Sequence, residues 1–187
     1  LQAVHERIAR AASAAARAPA SVHLLAVSKT FGAAEVTAAW QAGQRAFGEN
    51  YVQEAVNKVT ALADLPIEWH FIGPIQSNKT RPIAEHFAWV HSIEREKIAQ
   101  RLNDARPAHL PPLNVLIQVN ISGEASNSGV APGAERALAA AIARMPRLRL
   151  RGLMAIPEPT PEVTVQRARY ALLRRLTEKL LALRDPK

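Results

Sequence analysis

The stretch His23-Leu-Leu-Ala-Val-Ser-Lys29 decides the fold. Its apolar run, Leu24 to Val27, reads as a fully buried parallel strand, because strands covered on both faces are continuously apolar rather than alternating. The Ser-Lys pair then falls at the carboxyl end of that strand, where parallel α/β proteins build their sites.

Working downstream, Ala33 to Ala42 reads as a helix with Val36, Ala39 and Trp40 on one side and Gly43 as its stop. A strand follows at Arg45 to Gly48. Asn50 is placed to cap the next helix, in which Val52, Ala55, Val56, Val59 and Leu62 recur at helical spacing. Glu68 to Gly73 forms a third strand, ahead of a polar loop at Gln76 to Lys79 and a helix through Ile83 to Phe87 with Pro82 in its first turn. The fourth strand, Ala88 to Ile93, leads to a helix from Glu94 capped by Ser92, with Ile98, Ala99 and Leu102 inward. The strongest strand signal is Asn114 to Asn120, before a Gly/Ser/Asn loop at Ser122 to Gly129 and a helix at Ala134 to Arg144. A sixth strand spans Leu148 to Ile156. The last segment, Val163 to Leu183, sets Val165, Ala168, Leu172, Leu173, Leu176, Leu180 and Leu183 on one helical face. Upstream, Val4, Ile8, Ala11, Ala12 and Ala15 follow helical spacing until Pro19. That Arg-rich, acid-poor segment resembles a transit peptide, and an ordinary leading helix accounts for it as economically.

Strict alternation of six strands and helices predicts a parallel α/β architecture. A barrel is its natural closure, yet a (β/α)8 barrel takes eight units and about 250 residues, whereas this chain ends in the helix after strand six. The alternative, an open doubly wound sheet, lacks its dinucleotide turn: Val27 to Gly32 carries a single glycine where the fingerprint has three.

With 187 residues, 48% apolar and 21% charged, the chain is expected to form one globular domain over residues 1–187. No run approaches the roughly 18 uninterrupted apolar residues of a membrane span. The absence of cysteine excludes disulfides, thiolate catalysis and cysteine metal sites. His86 and His91 lack a partner at metal-ligand spacing and read as structural, so no metal is expected. A cytoplasmic location fits, although missing cysteines only remove the evidence for an oxidising compartment. The net charge of +8 and the dense Arg144, Arg147, Arg149 and Arg151 suit a nucleic-acid partner. Those arginines alternate with Leu148 and Leu150 like the outer side of a strand, and no aromatics are interleaved to stack bases, so a solvated face is the preferred reading.

A lysine at the end of an apolar strand invites chemistry. A partly desolvated amine loses its proton more readily than one in water, and the free amine attacks a carbonyl to form a Schiff base. Lys29 is therefore a candidate holder of an aldehyde cofactor, set against the plainer reading of a surface lysine at a strand terminus.

Five segments, in order and in register, resemble the family of pyridoxal 5'-phosphate homeostasis proteins, relatives of the alanine-racemase barrel. They are Leu25-Ala-Val-Ser-Lys-Thr30, Phe47-Gly-Glu-Asn-Tyr-Val-Gln-Glu54, Trp69-His-Phe-Ile-Gly-Pro-Ile-Gln-Ser-Asn-Lys79, Val115 to Asn120 with Gly123 to Gly129, and Gly152-Leu-Met-Ala-Ile-Pro157. The resemblance implies a modified (β/α)8 TIM-like barrel with an extra N-terminal helix and pyridoxal 5'-phosphate (PLP) at the carboxyl ends of its strands. It makes Lys29 the Schiff-base lysine and lines the cofactor with Asn50, His70 and Met154. It further implies a monomeric carrier without substrate turnover or catalytic residues, serving PLP-dependent apoenzymes. Each residue keeps its plainer alternative: a helix cap for Asn50, a satisfied core histidine for His70, core filling for Met154.

Two departures from the family pattern stand out. Ser126-Asn127-Ser128-Gly129 replaces the usual Ser-Lys-Ser-Gly, exchanging a lysine for a neutral amide. The family's following strands, one Ser/Met/Gly-rich and one Arg-Ile-Gly-Thr, hold the cofactor phosphate and are not found in these residues, so the last two βα units are expected to be absent. The rival reading is a PLP-dependent racemase, which in similar folds takes a second base, a tyrosine, from an added β domain of the partner subunit. This chain has Tyr51 and Tyr170 and no room for such a domain, although Tyr51 directly follows Asn50.

Overall fold

The computed structural model describes residues 1–123 and 128–182. The chain divides into two compact units, Leu1–His70 and Phe71 onward.

The first unit opens with α1, Gln2–Ala14, of which only Ala12 is buried. After a 3-10 turn at Pro19–Ser21 comes β1, Ala26–Val27, then α2, Ala33–Gln41. The Glu35 carboxylate reaches back to accept from the Gly32 N–H at 3.0 Å, which satisfies a donor at the start of α2. The helix stops where expected: Gly43 turns left-handed at φ 101°, and the Gln44 N–H closes back onto the Ala39 carbonyl. β2 is Ala46–Glu49, α3 is Val52–Ala61 and β3 is Glu68–Phe71. Phe47 and Trp69 pack with ring centroids 5.9 Å apart at the centre of this unit.

β1 departs from expectation. Only Ala26 and Val27 are in strand, Leu24 and Leu25 are half-buried, and Val27 is 47% exposed. The apolar run registers hydrophobicity but not the number of neighbouring strands, and among the described residues β1 stands at the end of the strand order, with a partner strand on one side.

The second unit contains α4, Thr80–His86; β4, Trp89–Ile93; α5, Glu96–Ala105; β5, Leu113–Gln118; α6, Glu135–Ile142; β6, Leu148–Met154; and α7, Val163–Ala182. Pro82 lies in the first turn of α4, as its missing N–H allows. Ile83, Phe87, Val90, Ile98, Leu102 and Ile117 are fully enclosed, and Phe71 meets Phe87 edge to face at 5.4 Å. Among the described residues the sheet runs β1-β2-β3-β4-β5-β6, with β1–β2, β4–β5 and β5–β6 parallel. The fold is α/β, each α-helix after α1 following its strand.

Three further expectations are corrected here. Ser92 does not cap α5: β4 continues through Ile93, the Ser92 hydroxyl donates to the Gly73 carbonyl, and α5 begins after Arg95 without a side-chain cap. Arg147 is not part of a solvated face. Its Nη2 donates to the Pro107 and Leu110 carbonyls, while Arg149 and Arg151 do point outward. A bulge between Val115 and Leu116 of β5 places Arg151 opposite no residue, and its guanidinium stacks 5.5 Å from the Trp89 ring. In α7 the apolar face is buried at Leu176 and Leu180, whereas Val165 is exposed; Leu183 lies outside the described residues.

Candidate functional site

The connection from β1 to α2 carries the candidate lysine. The Ser28 N–H donates to the Gly48 carbonyl at 2.9 Å, extending the pairing of β1 with β2 by one residue. The chain then turns back at once: the Phe31 N–H donates to the Ser28 carbonyl at 3.0 Å, with Lys29 and Thr30 at the two central positions of the turn. Lys29 is exposed, which corrects the expectation of a desolvated amine; the turn that follows the strand lifts it out of the apolar run.

Beneath that turn lies a polar cluster that hydrophobic patterning does not register. Glu49, the last residue of β2, has no solvent exposure at all. Its Oε1 accepts from the Ser28 hydroxyl at 2.6 Å and from Lys58 Nζ at 2.7 Å. Lys58, itself only 6% exposed, also donates to the Ser28 carbonyl at 2.6 Å and lies 3.2 Å from Glu54 Oε1 one helical turn earlier. A buried carboxylate is tolerable only when paired and hydrogen-bonded, and Lys58 supplies the countercharge. Glu49 Oε2 keeps no protein partner. The available sequence signal was position: Lys58 comes three residues after Ala55 and four before Leu62, on the inner stripe of α3, where Ala55 and Lys58 are the buried residues.

Asn50 follows β2 directly and does not cap α3. The N-cap is Tyr51, and no side chain bonds the first helical N–H groups. The Asn50 Oδ1 is instead buried without a hydrogen-bond partner, an unsatisfied acceptor one residue from Glu49. His70, in β3, is 8% exposed, and its Nε2 lies 2.9 Å from Glu68 Oε1. Burial pushes its pKa below the ordinary 6.5, more strongly than the Glu68 hydrogen bond and charge push it up. The plainer reading of His70, a satisfied core histidine, fits its burial and its bond to Glu68.

In the second unit, Met154 is the final residue of β6 and half-buried; its carbonyl accepts from the Val119 N–H at 2.8 Å. Ser126 and Asn127, where the family lysine is replaced, lie outside the described residues. The segment after them returns to the end of β5. Val130 N–H bonds the Gln118 carbonyl, Asn120 N–H bonds the Val130 carbonyl, and Gly129 N–H donates to Glu94 Oε2 at 3.1 Å.

Taken by chemistry alone, an exposed primary amine on the turn after β1, with a buried amide oxygen lacking a donor just after the paired strand β2, suits a ligand with an electrophilic carbonyl and a hydrogen-bond donor.

The alanine racemase N-terminal domain family matches residues 1–186. A pyridoxal phosphate homeostasis protein of Pseudomonas aeruginosa is 66% identical over 173 residues, covering 92% of this chain and 75% of the relative. The chain belongs to the pyridoxal phosphate homeostasis protein family. Among solved structures of similar proteins, PipY of Synechococcus elongatus with PLP bound superposes with a TM-score of 0.78 at 35% identity, covering 92% of this chain and 81% of that one. Alanine racemase from Corynebacterium glutamicum superposes at 0.60 with 17% identity, covering 85% of this chain and 44% of that one, which shows a shared fold. Membership in the family thus joins the α/β fold expected from strand-helix alternation to the alanine racemase N-terminal domain.

Proposed function

We propose that this chain binds PLP on Lys29 and serves as a carrier in PLP homeostasis, without substrate turnover. The observation that carries the reading is the exposed Lys29 amine on a turn anchored to a buried Ser28–Glu49–Lys58 cluster, in a chain of this family. The PLP-bound relative adds support.

Lys29 would hold PLP through its amine, whose free form would add to the cofactor's aldehyde carbon with loss of water. An acceptor amine would release the cofactor by the same exchange, restoring the free lysine. Asn50 Oδ1 offers the bound molecule an acceptor, and neutral His70 presents an imidazole held by Glu68. The assignment of Met154 rests on the family resemblance and its place at the end of β6. PLP-dependent apoenzymes are the acceptors in this reading, with the protein a cytoplasmic monomer; among the described residues no helix is long and apolar enough to cross a membrane.

The test is incubation with PLP, borohydride reduction and peptide-mapped mass, comparing the chain with Lys29→Ala. A single adduct at Lys29, lost in the variant, is the expected result; labelling scattered over other lysines would sink the assignment.

A further inference from the structure

We propose that Lys58 is a positioning residue for Lys29: it holds the carbonyl that closes the Lys29 turn and, through Glu49, the side chain of the residue preceding Lys29. The inference rests on the PLP reading of Lys29 and names what sets that amine in place.

Ser28 is held at three points. Its N–H is bound to Gly48, its hydroxyl to Glu49, and its carbonyl receives both the Phe31 N–H and Lys58 Nζ. A two-residue β1 with an exposed Val27 offers little else to fix the turn. Lys58 is the member through which the other contacts converge. One ammonium spans the Ser28 carbonyl at 2.6 Å and Glu49 Oε1 at 2.7 Å, and Glu49 in turn fixes the Ser28 hydroxyl at 2.6 Å.

A surface ion pair would leave this arrangement free to rearrange. Here Glu49 and Ser28 are enclosed and Lys58 nearly so, and charge-assisted hydrogen bonds are short and directional in such surroundings. Lys29 therefore carries an exposed side chain on a backbone anchored at Ser28. Reaction between two centres is steeply sensitive to such placement: an error of about 1 Å costs up to roughly a hundredfold in rate.

The test uses the full chain with Lys58→Met and with the double variant Lys58→Met/Glu49→Gln, which removes both charges together and stands in if the single variant does not fold. Two quantities are read: the rate of borohydride-trapped PLP at Lys29, and hydrogen exchange at the Phe31 amide in the protein without ligand. Positioning predicts a folded variant in which trapping at Lys29 falls by between about tenfold and a hundredfold while trapping by free Nα-acetyl-lysine in the same solution is unchanged, and in which Phe31 exchanges faster. Wild-type trapping and wild-type Phe31 exchange in a folded variant would overturn it. If the wild-type chain itself fails to label at Lys29, the PLP reading fails, and the Phe31 exchange alone decides whether Lys58 fixes the turn.

Discussion

His70 Nε2 and Glu68 Oε1 lie 2.9 Å apart on the same strand, one residue buried and the other half in solvent. The pair sets a pH dependence. Burial holds the folded His70 pKa below its ordinary 6.5, so the unfolded chain takes up the proton first. Stability from this group is fully present above pH 6.5 and is lost as pH falls towards the folded value. Urea midpoints measured from neutral to acid should drop across that window, and His70→Gln should flatten part of the slope. Glu68→Gln should lower the His70 pKa further, read by NMR titration, because it removes the charge that opposes desolvation.

Breaking the buried Lys58–Glu49 pair on one side only should be severe. Lys58→Met leaves Glu49 enclosed and uncompensated, a loss of about 3–5 kcal/mol in urea unfolding. The double variant Lys58→Met/Glu49→Gln should recover most of that, since replacing both charges removes the desolvation penalty. A double variant no better than the single one would contradict the pairing.

Lys29→Ala should leave stability within about 0.5 kcal/mol, because the side chain is exposed and its turn is held by Ser28. The same variant should lose the PLP adduct entirely. Alanine incubated with the PLP-loaded wild type should not racemise above background; measurable turnover would favour the racemase reading over the carrier.

Gly129→Ala tests the return of the chain to β5. At φ 116° an added Cβ would sit 2.8 Å from Asn120 N and 2.9 Å from the Val119 carbonyl carbon, both backbone atoms with little room to yield. The expected cost is at least about 1–3 kcal/mol from backbone strain. Gly43→Ala, also at positive φ but with open space around the new methyl, should cost less, the difference being the steric part.

Arg106→Met should be costly although it removes a charge. Its guanidinium donates to the Ala84, Phe87 and Pro111 carbonyls, and each acceptor left buried without a donor costs about 1–3 kcal/mol. Calorimetric unfolding of the variant gives the sum directly.

The alternation of elements was legible because periodicity in α2, α3 and α5 and the apolar β5 report burial residue by residue. Strand ends were read slightly long at β3 and β6, where apolar residues run on after the pairing has stopped. Lys29, Asn50, His70 and Met154 are candidates on motif resemblance, and each lies at or near the end of its strand. Glu49 and Lys58 were passed over because patterning assigns charged residues to solvent, and only three-dimensional pairing reveals that each makes the other's burial possible. Asn50 was misread for a related reason. An amide before a helix has the composition of a cap, but capping depends on a side-chain direction that sequence does not specify.

The segment from Pro107 to Pro112 has three prolines and so few N–H groups of its own, and Arg106 and Arg147 donate to its carbonyls at Pro107, Leu110 and Pro111. Two of the chain's cations are therefore engaged by internal dipoles: they keep their charge, while N–H donors that would bind a polyanion are occupied. Retention on a cation exchanger should be weaker than the composition suggests, because neither guanidinium offers all its donors to the resin.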